Sequence, residues 1–296
     1  MSPASGRRDR PRHRRRAFLA ASLLALSPVA AARGLPADPA AGPPASPASD
    51  LPALLVRMDR AASLYRQAAL SFSCREAIHS DGGPVLRFEY LYVVGKDGKL
   101  RDYRTRVGDS QALEVAPESI PVKHAMLRPY SWVFLFGRDR WTRLRYRVLE
   151  TGKRLGRDAV LVAFEPVPPI LPEINGWTGT AWVEPATGRI LHVEAQEAES
   201  LETLRLFEAA MAPGEQAPAG GNRFPVMTAT TDFGVEKGGM LFPTRATVEI
   251  EEHRFPGRGG RSSSTKVVYR ILQTYADYRF FGVRAEEKQP RAVRPP

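Results

Sequence analysis

The stretch GTAWVEPATGRILHVEA, from Gly179 to Ala195, decides the fold class of this chain. Two short runs of alternating apolar and polar residues flank Pro185–Gly188, a turn that ends in glycine, the residue best suited to a positive φ. The stretch therefore predicts an antiparallel hairpin. It contains no pair of side chains with an evident chemical task, so its role must come from the strands around it.

The same alternation recurs on both sides of this hairpin. VLRFEYLYVV (85–94) and LRDYRTRV (100–107) predict a pair with one aromatic and one polar face, joined by a turn at Lys96–Lys99. Because strands do not alternate with long helices, the sequence argues against a parallel doubly wound sheet. The sequence predicts a mainly β fold: an antiparallel sheet of roughly nine to eleven strands with a few helices packed on one face. The other strand runs are RWTRLRYRVL (140–149), AVLVAFEP (159–166), FPVMTATTDFGV (224–235), LFPTRATVEIEEHRF (241–255) and TKVVYRILQTYADYRFF (265–281).

Two segments have helical patterns. Apolar residues recur every three or four positions from Pro52 to Gln67, and Asp50 is placed as the N-cap of an amphipathic helix. A second, short helix is predicted between Pro129 and Gly137, and it is apolar nearly all round, so it must be buried against the sheet.

The first 32 residues have the layout of an export signal: an arginine-rich start, the apolar run AFLAASLLALSPVAAA and an Ala-x-Ala site. Arg15–Leu19 matches the R-R-x-F-L core of a twin-arginine signal, and a general secretory signal is the alternative. No cysteine stands at the cleavage point, so we expect no lipid anchor. We assign 1–32 to the signal peptide, 33–50 to a disordered Pro/Ala linker, 51–285 to one β domain and 286–296 to a flexible tail.

Composition argues against several functional classes. The signal segment carries +6 of the formal net charge of +11, so the rest is too weakly basic to argue for nucleic-acid binding. The single cysteine, Cys74, predicts an inert buried side chain. Zinc-protease, paired-cysteine, nucleophile-elbow and phosphate-loop motifs do not occur in the sequence. We therefore predict a protein that is not an enzyme, with no catalytic residues, no metal and no cofactor.

From about Pro129 to Phe281 the chain resembles the LolA-like outer-membrane lipoprotein-sorting proteins. The motifs are GRDAVLVAFEP (156–166), the W-V-x-P-x-T-G-R-I core at 182–190, LFPTRATVEI (241–250) and YADYRFF (275–281). The resemblance implies a strongly curved antiparallel half-barrel with helices on its concave face, enclosing an apolar cavity for lipid chains.

Function is predicted accordingly: a periplasmic, non-catalytic carrier or sensor of acyl chains or lipoproteins. The alternative is a protein-interaction or regulatory module with a filled core, whose partner would be an envelope protein. Arg254, Arg258 and Arg261 are candidates for contact with a membrane surface or a partner. The candidate cavity residues are Phe88, Tyr90, Tyr92, Trp132, Phe136, Leu144, Tyr146, Val148, Trp182, Val248 and Ile250.

Overall fold

A computed structural model describes residues 50–67, 71–94, 100–108, 114–115, 120, 122–126, 128–211, 222–255 and 263–281. The signal segment, most of the linker, the tail, the turn at 96–99, Arg258 and Arg261 lie outside these residues. The helices are α1 (Leu51–Gln67), α2 (Pro172–Asn175), α3 (Ala198–Ala210) and two 3-10 helices (Pro129–Phe136 and Arg138–Arg140). The strands are β1 (Ser71–Ser80), β2 (Leu86–Val94), β3 (Leu100–Arg106), β4 (Glu114–Val115), β5 (Leu144–Arg154), β6 (Arg157–Pro166), β7 (Trp177–Val183), β8 (Ile190–Glu197), β9 (Asn222–Lys237), β10 (Met240–Phe255) and β11 (Ser264–Phe281).

All eleven strands form one antiparallel sheet, which confirms the predicted fold class. Its order is β4-β3-β2-β1-β11-β10-β9-β8-β7-β6-β5. Each strand pairs with its neighbour in sequence except where β1 pairs with β11, so the two meanders β1–β4 and β5–β11 join along that ladder. The sheet is open, with β4 and β5 at its two edges.

The sheet is strongly curved, as one helix shows. Tyr130 and Phe136 belong to the longer 3-10 helix, hereafter the aromatic helix, which is about 12 Å long between them. The Tyr130 ring lies 4.6 Å from Tyr92 on β2, and the Phe136 ring lies 5.5 Å from Phe164 on β6. Seven strand spacings separate β2 from β6, about 34 Å in a flat sheet. A helix this short can contact both strands only if the sheet wraps around it.

The aromatic helix begins and ends where the sequence predicts, at Pro129 and before Gly137, but its hydrogen bonding is 3-10 rather than α. Runs of 3-10 helix this long are uncommon, since their hydrogen-bond geometry is poorer than that of an α-helix. Burial of its aromatic side chains in the concavity therefore has to stabilise it.

Helix α1 lies over the same concave face and confirms the predicted amphipathic helix. The carboxylate of Asp50 accepts a hydrogen bond from the Ala53 N–H at 3.2 Å, as expected of an N-cap. On the buried side, the backbone N–H of Leu241 donates to the Tyr65 hydroxyl at 3.0 Å. The Tyr65 ring also contacts Phe134 of the aromatic helix, so the two helices pack on each other.

The β7–β8 hairpin holds α1 in place through its turn. Gly188 has a φ of +73°, and a Cβ there would overlap the backbone of Arg57 and Met58 on α1. The turn is locked by Arg189, which donates to Glu184 at 2.7 Å and to Glu236 of β9 at 2.5 Å. The hairpin is thus a docking surface for α1, which gives its glycine a specific task.

Helix α3 differs from α1 in the face it covers. Its Phe207 contacts Phe224 and Phe255, with ring centroids 4.7 and 4.9 Å away. Both residues alternate with the core-facing positions of β9 and β10, so α3 packs on the convex face. In the described part of the chain, no helix combines the length and the apolar character that crossing a membrane requires.

Candidate functional site

Most of the predicted cavity residues do face the concave side of the sheet. Tyr146, Val148 and Ile250 are half-buried there, at the margins of the core. The fully buried members of the predicted set are Phe88, Tyr90, Tyr92, Trp132, Phe136, Leu144 and Val248.

Trp182 is the exception. Its neighbours Ala181 and Val183 are completely buried in the core, and side chains alternate along a strand. The Trp182 ring instead covers Gly152 of β5, where an added Cβ would lie 3.5 Å from the indole. Trp182 therefore lies on the convex face and does not line the concavity.

The centre of the concavity is filled by the aromatic helix. The Trp132 indole N–H donates to the Thr231 hydroxyl on β9 at 2.8 Å, and Phe136 packs against Tyr146 and Phe164. The space left between this helix and α1 is about 10 Å³, no more than the least that one water needs, about 10–15 Å³. Among the described residues, the gap between these two helices is therefore too small for a ligand.

A cleft remains beside the aromatic helix, on the side toward α2 and β7. Its volume is about 360 Å³, within the usual range for ligand pockets of about 300–1,000 Å³. Trp132 and Trp177 meet edge to face in its wall, with centroids 5.1 Å apart. The cleft is lined by Met126, Arg128, Ser131, Trp132, Phe134, Leu135, Arg140, Pro172, Ile174 and Trp177.

A buried charge network borders this cleft. Arg104 of β3 is fully buried and donates to Glu76 of β1 at 2.6 Å and to Asp102 at 3.2 Å. Its guanidinium also lies 4.3 Å from the centre of the Tyr90 ring. Burial alone would lower the pKa of Arg104, but the Glu76 carboxylate outweighs it and raises the pKa above its ordinary value. Arg104 is therefore permanently charged.

The network reaches the cleft by two routes. Asp102 accepts from Arg128 at 3.0 Å, and Arg128 lines the cleft. Gln273 of β11 donates to Glu76 at 3.1 Å, and its carbonyl oxygen accepts from the Met126 N–H at 2.6 Å. Two lining residues are thus held by the same buried cluster.

The sequence-based description of the β2–β3 pair is wrong at this network. It placed the polar residues of β3 on the face opposite the aromatic ones. Asp102 and Arg104 instead pair with Tyr92 and Tyr90 and are buried with them. The burial is tolerable because each charge has a partner of opposite sign within hydrogen-bonding distance.

Cys74 and Arg254 are not among the residues that line the cleft. Cys74 is buried in the core, where desolvation strongly raises the pKa of its thiol, as expected of an inert side chain. Arg254 forms an ion pair with Glu252 on β10. Its contact with a membrane or partner stays a prediction, as does that of Arg258 and Arg261, which lie outside the described residues.

Comparison with known proteins gives structural likeness only. The sequence matches no protein-family model, and no curated protein is significantly similar to it. A DUF1329-family protein from Desulfovibrio piger has 14% identity and a TM-score of 0.38, over 77% of this chain and 90% of that one. A LolA-superfamily protein from Nitrosomonas europaea has 12% identity and a TM-score of 0.35, over 76% and 92%.

The MucA/MucB complex from Pseudomonas aeruginosa has 12% identity and a TM-score of 0.25, over 76% of this chain and 98% of that one. The chain is similar to LolA-like structures. At these identities the likeness concerns architecture alone.

Proposed function

We propose that this protein is a periplasmic, non-catalytic carrier or sensor of lipid acyl chains, and that the cleft beside the aromatic helix is where an acyl chain enters. The observation that carries the proposal is the cleft itself, with a volume of about 360 Å³ and walls that include Trp132, Trp177, Leu135 and Ile174. The export signal read from the sequence supplies the proposed compartment.

The physical need for such a site is large. Each methylene kept from water is worth about 0.8 kcal/mol, so a chain of about 14 carbons would cost about 11 kcal/mol to move through water unsheathed. Aromatic and aliphatic walls remove that cost.

The aromatic helix is the part of the site that would move to enlarge it. Its 3-10 hydrogen bonds have poorer geometry than those of an α-helix. Trp132 contacts the sheet through its indole hydrogen bond to Thr231 and its ring contact with Trp177. A chain that replaced the contacts of Trp132 and Leu135 would extend the cleft toward the filled centre.

Two tryptophans on one strand provide a matched test. Trp177 lines the cleft and Trp182 lies on the convex face of the same strand, and both are half-buried. We expect Trp177→Glu to abolish uptake of a fluorescent fatty acid, because the charge would lie in the apolar wall, and Trp182→Glu to retain it. Circular dichroism establishes whether each variant is folded. If Trp177→Glu does not fold, Trp177→Gln is used in its place. Equal uptake by both would overturn this assignment of the cleft.

Native mass spectrometry on protein purified from periplasm without detergent tests the proposal independently. A lipid bound in stoichiometric amount would support the carrier. Lipid-free protein that also fails to take up fatty acid would contradict it.

One observation favours the interaction module as a second candidate. Strand β5 is eleven residues long and ends the sheet, and in the described part of the chain no strand pairs with its outer side. An edge of this length can accept an added strand from a partner. The filled centre of the concavity is compatible with this role, and lipid-free protein would shift the proposal to it.

A further inference from the structure

We propose that the cleft binds a single-chain amphiphile with an anionic head group, a carboxylate or a phosphate, and that Arg128 and Arg140 bind that head group. This inference rests on the proposed function and adds the class of ligand. It comes from the unused hydrogen-bond donors of two arginines at the rim of an apolar cleft.

Arg128 has donors to spare. A guanidinium carries five N–H groups in a fixed plane. The Nε and one Nη2 donor bind the same Asp102 oxygen at 3.1 and 3.0 Å, which leaves three without a partner among the described residues. The side chain is 55% exposed, so these donors are accessible from the cleft.

Arg140 completes the pair. Its Nη1 donates to the Ile174 carbonyl oxygen at 3.3 Å, and its Nε lies 3.5 Å from Asp139. Three N–H groups again have no partner in the described part of the chain. Both arginines line one cleft, and none of its described lining residues is a carboxylate. An anion there would meet two guanidinium groups, and the carboxylates described beside them, Asp102 and Asp139, are each already paired with one of the two arginines.

A buried carboxylate, that of Asp102, fixes the Arg128 side chain in position, unlike a typical surface arginine. Asp102 is 2% exposed and also accepts from Arg104, which Glu76 in turn holds. The buried cluster of Glu76, Asp102, Arg104 and Arg128 contains two charges of each sign. An incoming anion would therefore bind to a guanidinium already fixed in orientation, which lowers the entropy cost of binding.

The test compares ligands that share a twelve-carbon chain. Dodecanoate, dodecyl phosphate and dodecanol are titrated against the exported protein, with calorimetry as the readout. We expect the two anions to bind about tenfold or more tightly than the alcohol, since a charge-assisted bidentate contact is worth at least about 1.4 kcal/mol. Arg128→Gln combined with Arg140→Gln should bring the three affinities to within about threefold, chiefly by weakening the anions. Arg147→Gln, on the exposed face of β5, is the charge-matched control and should leave the preference unchanged.

The outcomes separate this inference from the proposed function. Equal binding of alcohol and anions by the unaltered protein would overturn the head-group inference and leave the carrier in place. Failure of all three to bind would overturn the carrier, and the inference with it. Inorganic phosphate that binds as tightly as dodecyl phosphate would show a free-anion site and contradict the amphiphile.

The double variant also removes a partner from buried Asp102, which could prevent folding. In that case Arg140→Gln alone and Arg128→Lys are used. Lysine keeps the charge but loses the planar donor pair, so both variants should still lower the preference for anions. A preference that neither changes would overturn the inference.

Discussion

The two ends of the concave face are packed by different kinds of interaction. Toward β1–β3, the interior contains Glu76, Asp102 and Arg104, all buried and paired with one another. Toward β5–β8, it contains rings and aliphatic side chains such as Phe164 and Val162, which are also buried. The aromatic helix spans both, with Tyr130 at the charged end and Phe136 at the apolar end.

This difference explains where the cleft lies. Charged partners fix one another's positions, whereas apolar contacts tolerate rearrangement of similar volume. The cleft lies where the two ends meet, with Met126 and Arg128 held by the charged cluster and Trp132 and Trp177 belonging to the apolar packing. One wall is therefore set in place while the other can adapt to a ligand.

The largest loss of unfolding free energy is expected for Arg104→Met. It leaves the carboxylates of Glu76 and Asp102 buried with fewer partners, and breaking a buried pair in this way costs about 3–5 kcal/mol. Phe164→Leu, at equal depth in the apolar end, should cost less, about 1–2 kcal/mol, because it leaves only a small cavity and no unpaired charge. Urea denaturation measures both. Equal losses of unfolding free energy would remove the contrast between the two ends.

A smaller effect tests how the apolar end holds α1. Gly188→Ala should destabilise the protein by about 1–3 kcal/mol, because the left-handed backbone is strained and the Cβ overlaps α1. Gly156→Ala is the matched control: its φ is +75°, but a Cβ there meets nothing within 4 Å. It should show only the backbone cost, about 1 kcal/mol. If both lose the same free energy, the turn does not hold α1 by close contact.

The smallest effect concerns pH. Burial alone would raise the pKa of Glu184, but hydrogen bonds from Thr187 and Arg189 outweigh it and bring the pKa below its ordinary value of 4.5. A depressed carboxylate pKa stabilises the fold above about pH 4.5, and this contribution is lost as the pH falls through the folded-state pKa. Glu184→Gln should therefore reduce the unfolding free energy by about 1 kcal/mol at pH 7 and by much less near pH 3.

The strand pattern could be predicted because each β run alternates at a period of two. The hairpin at 179–195, helix α1 with its Asp50 cap and the bounds of the aromatic helix all follow from local signals. Helix α3 was missed, although AESLETLRLFEAA contains good helix formers and neither glycine nor proline.

The charged cluster could not be predicted from local sequence. Glu76, Arg104 and Gln273 come from three strands. The β1–β2 and β2–β3 pairings bring Arg104 to Glu76, and the β1–β11 ladder brings Gln273. Arg104 shares the face of Tyr90 because of the register of the β2–β3 pair, which the local sequence does not give. The prediction that Trp182 lines the cavity was also wrong. Alternation with Ala181 and Val183 along β7 places its side chain on the convex face.

The junction between β1 and β11 also sets an order of folding. The β5–β11 meander can form from contacts between successive strands. The β1–β4 meander, although synthesised first, cannot complete the hydrogen bonds of its buried cluster until Gln273 arrives, 197 residues after Glu76. Contacts at such separation slow folding. We therefore expect the segment that leaves the ribosome first to be the last to acquire its native protection against proteases.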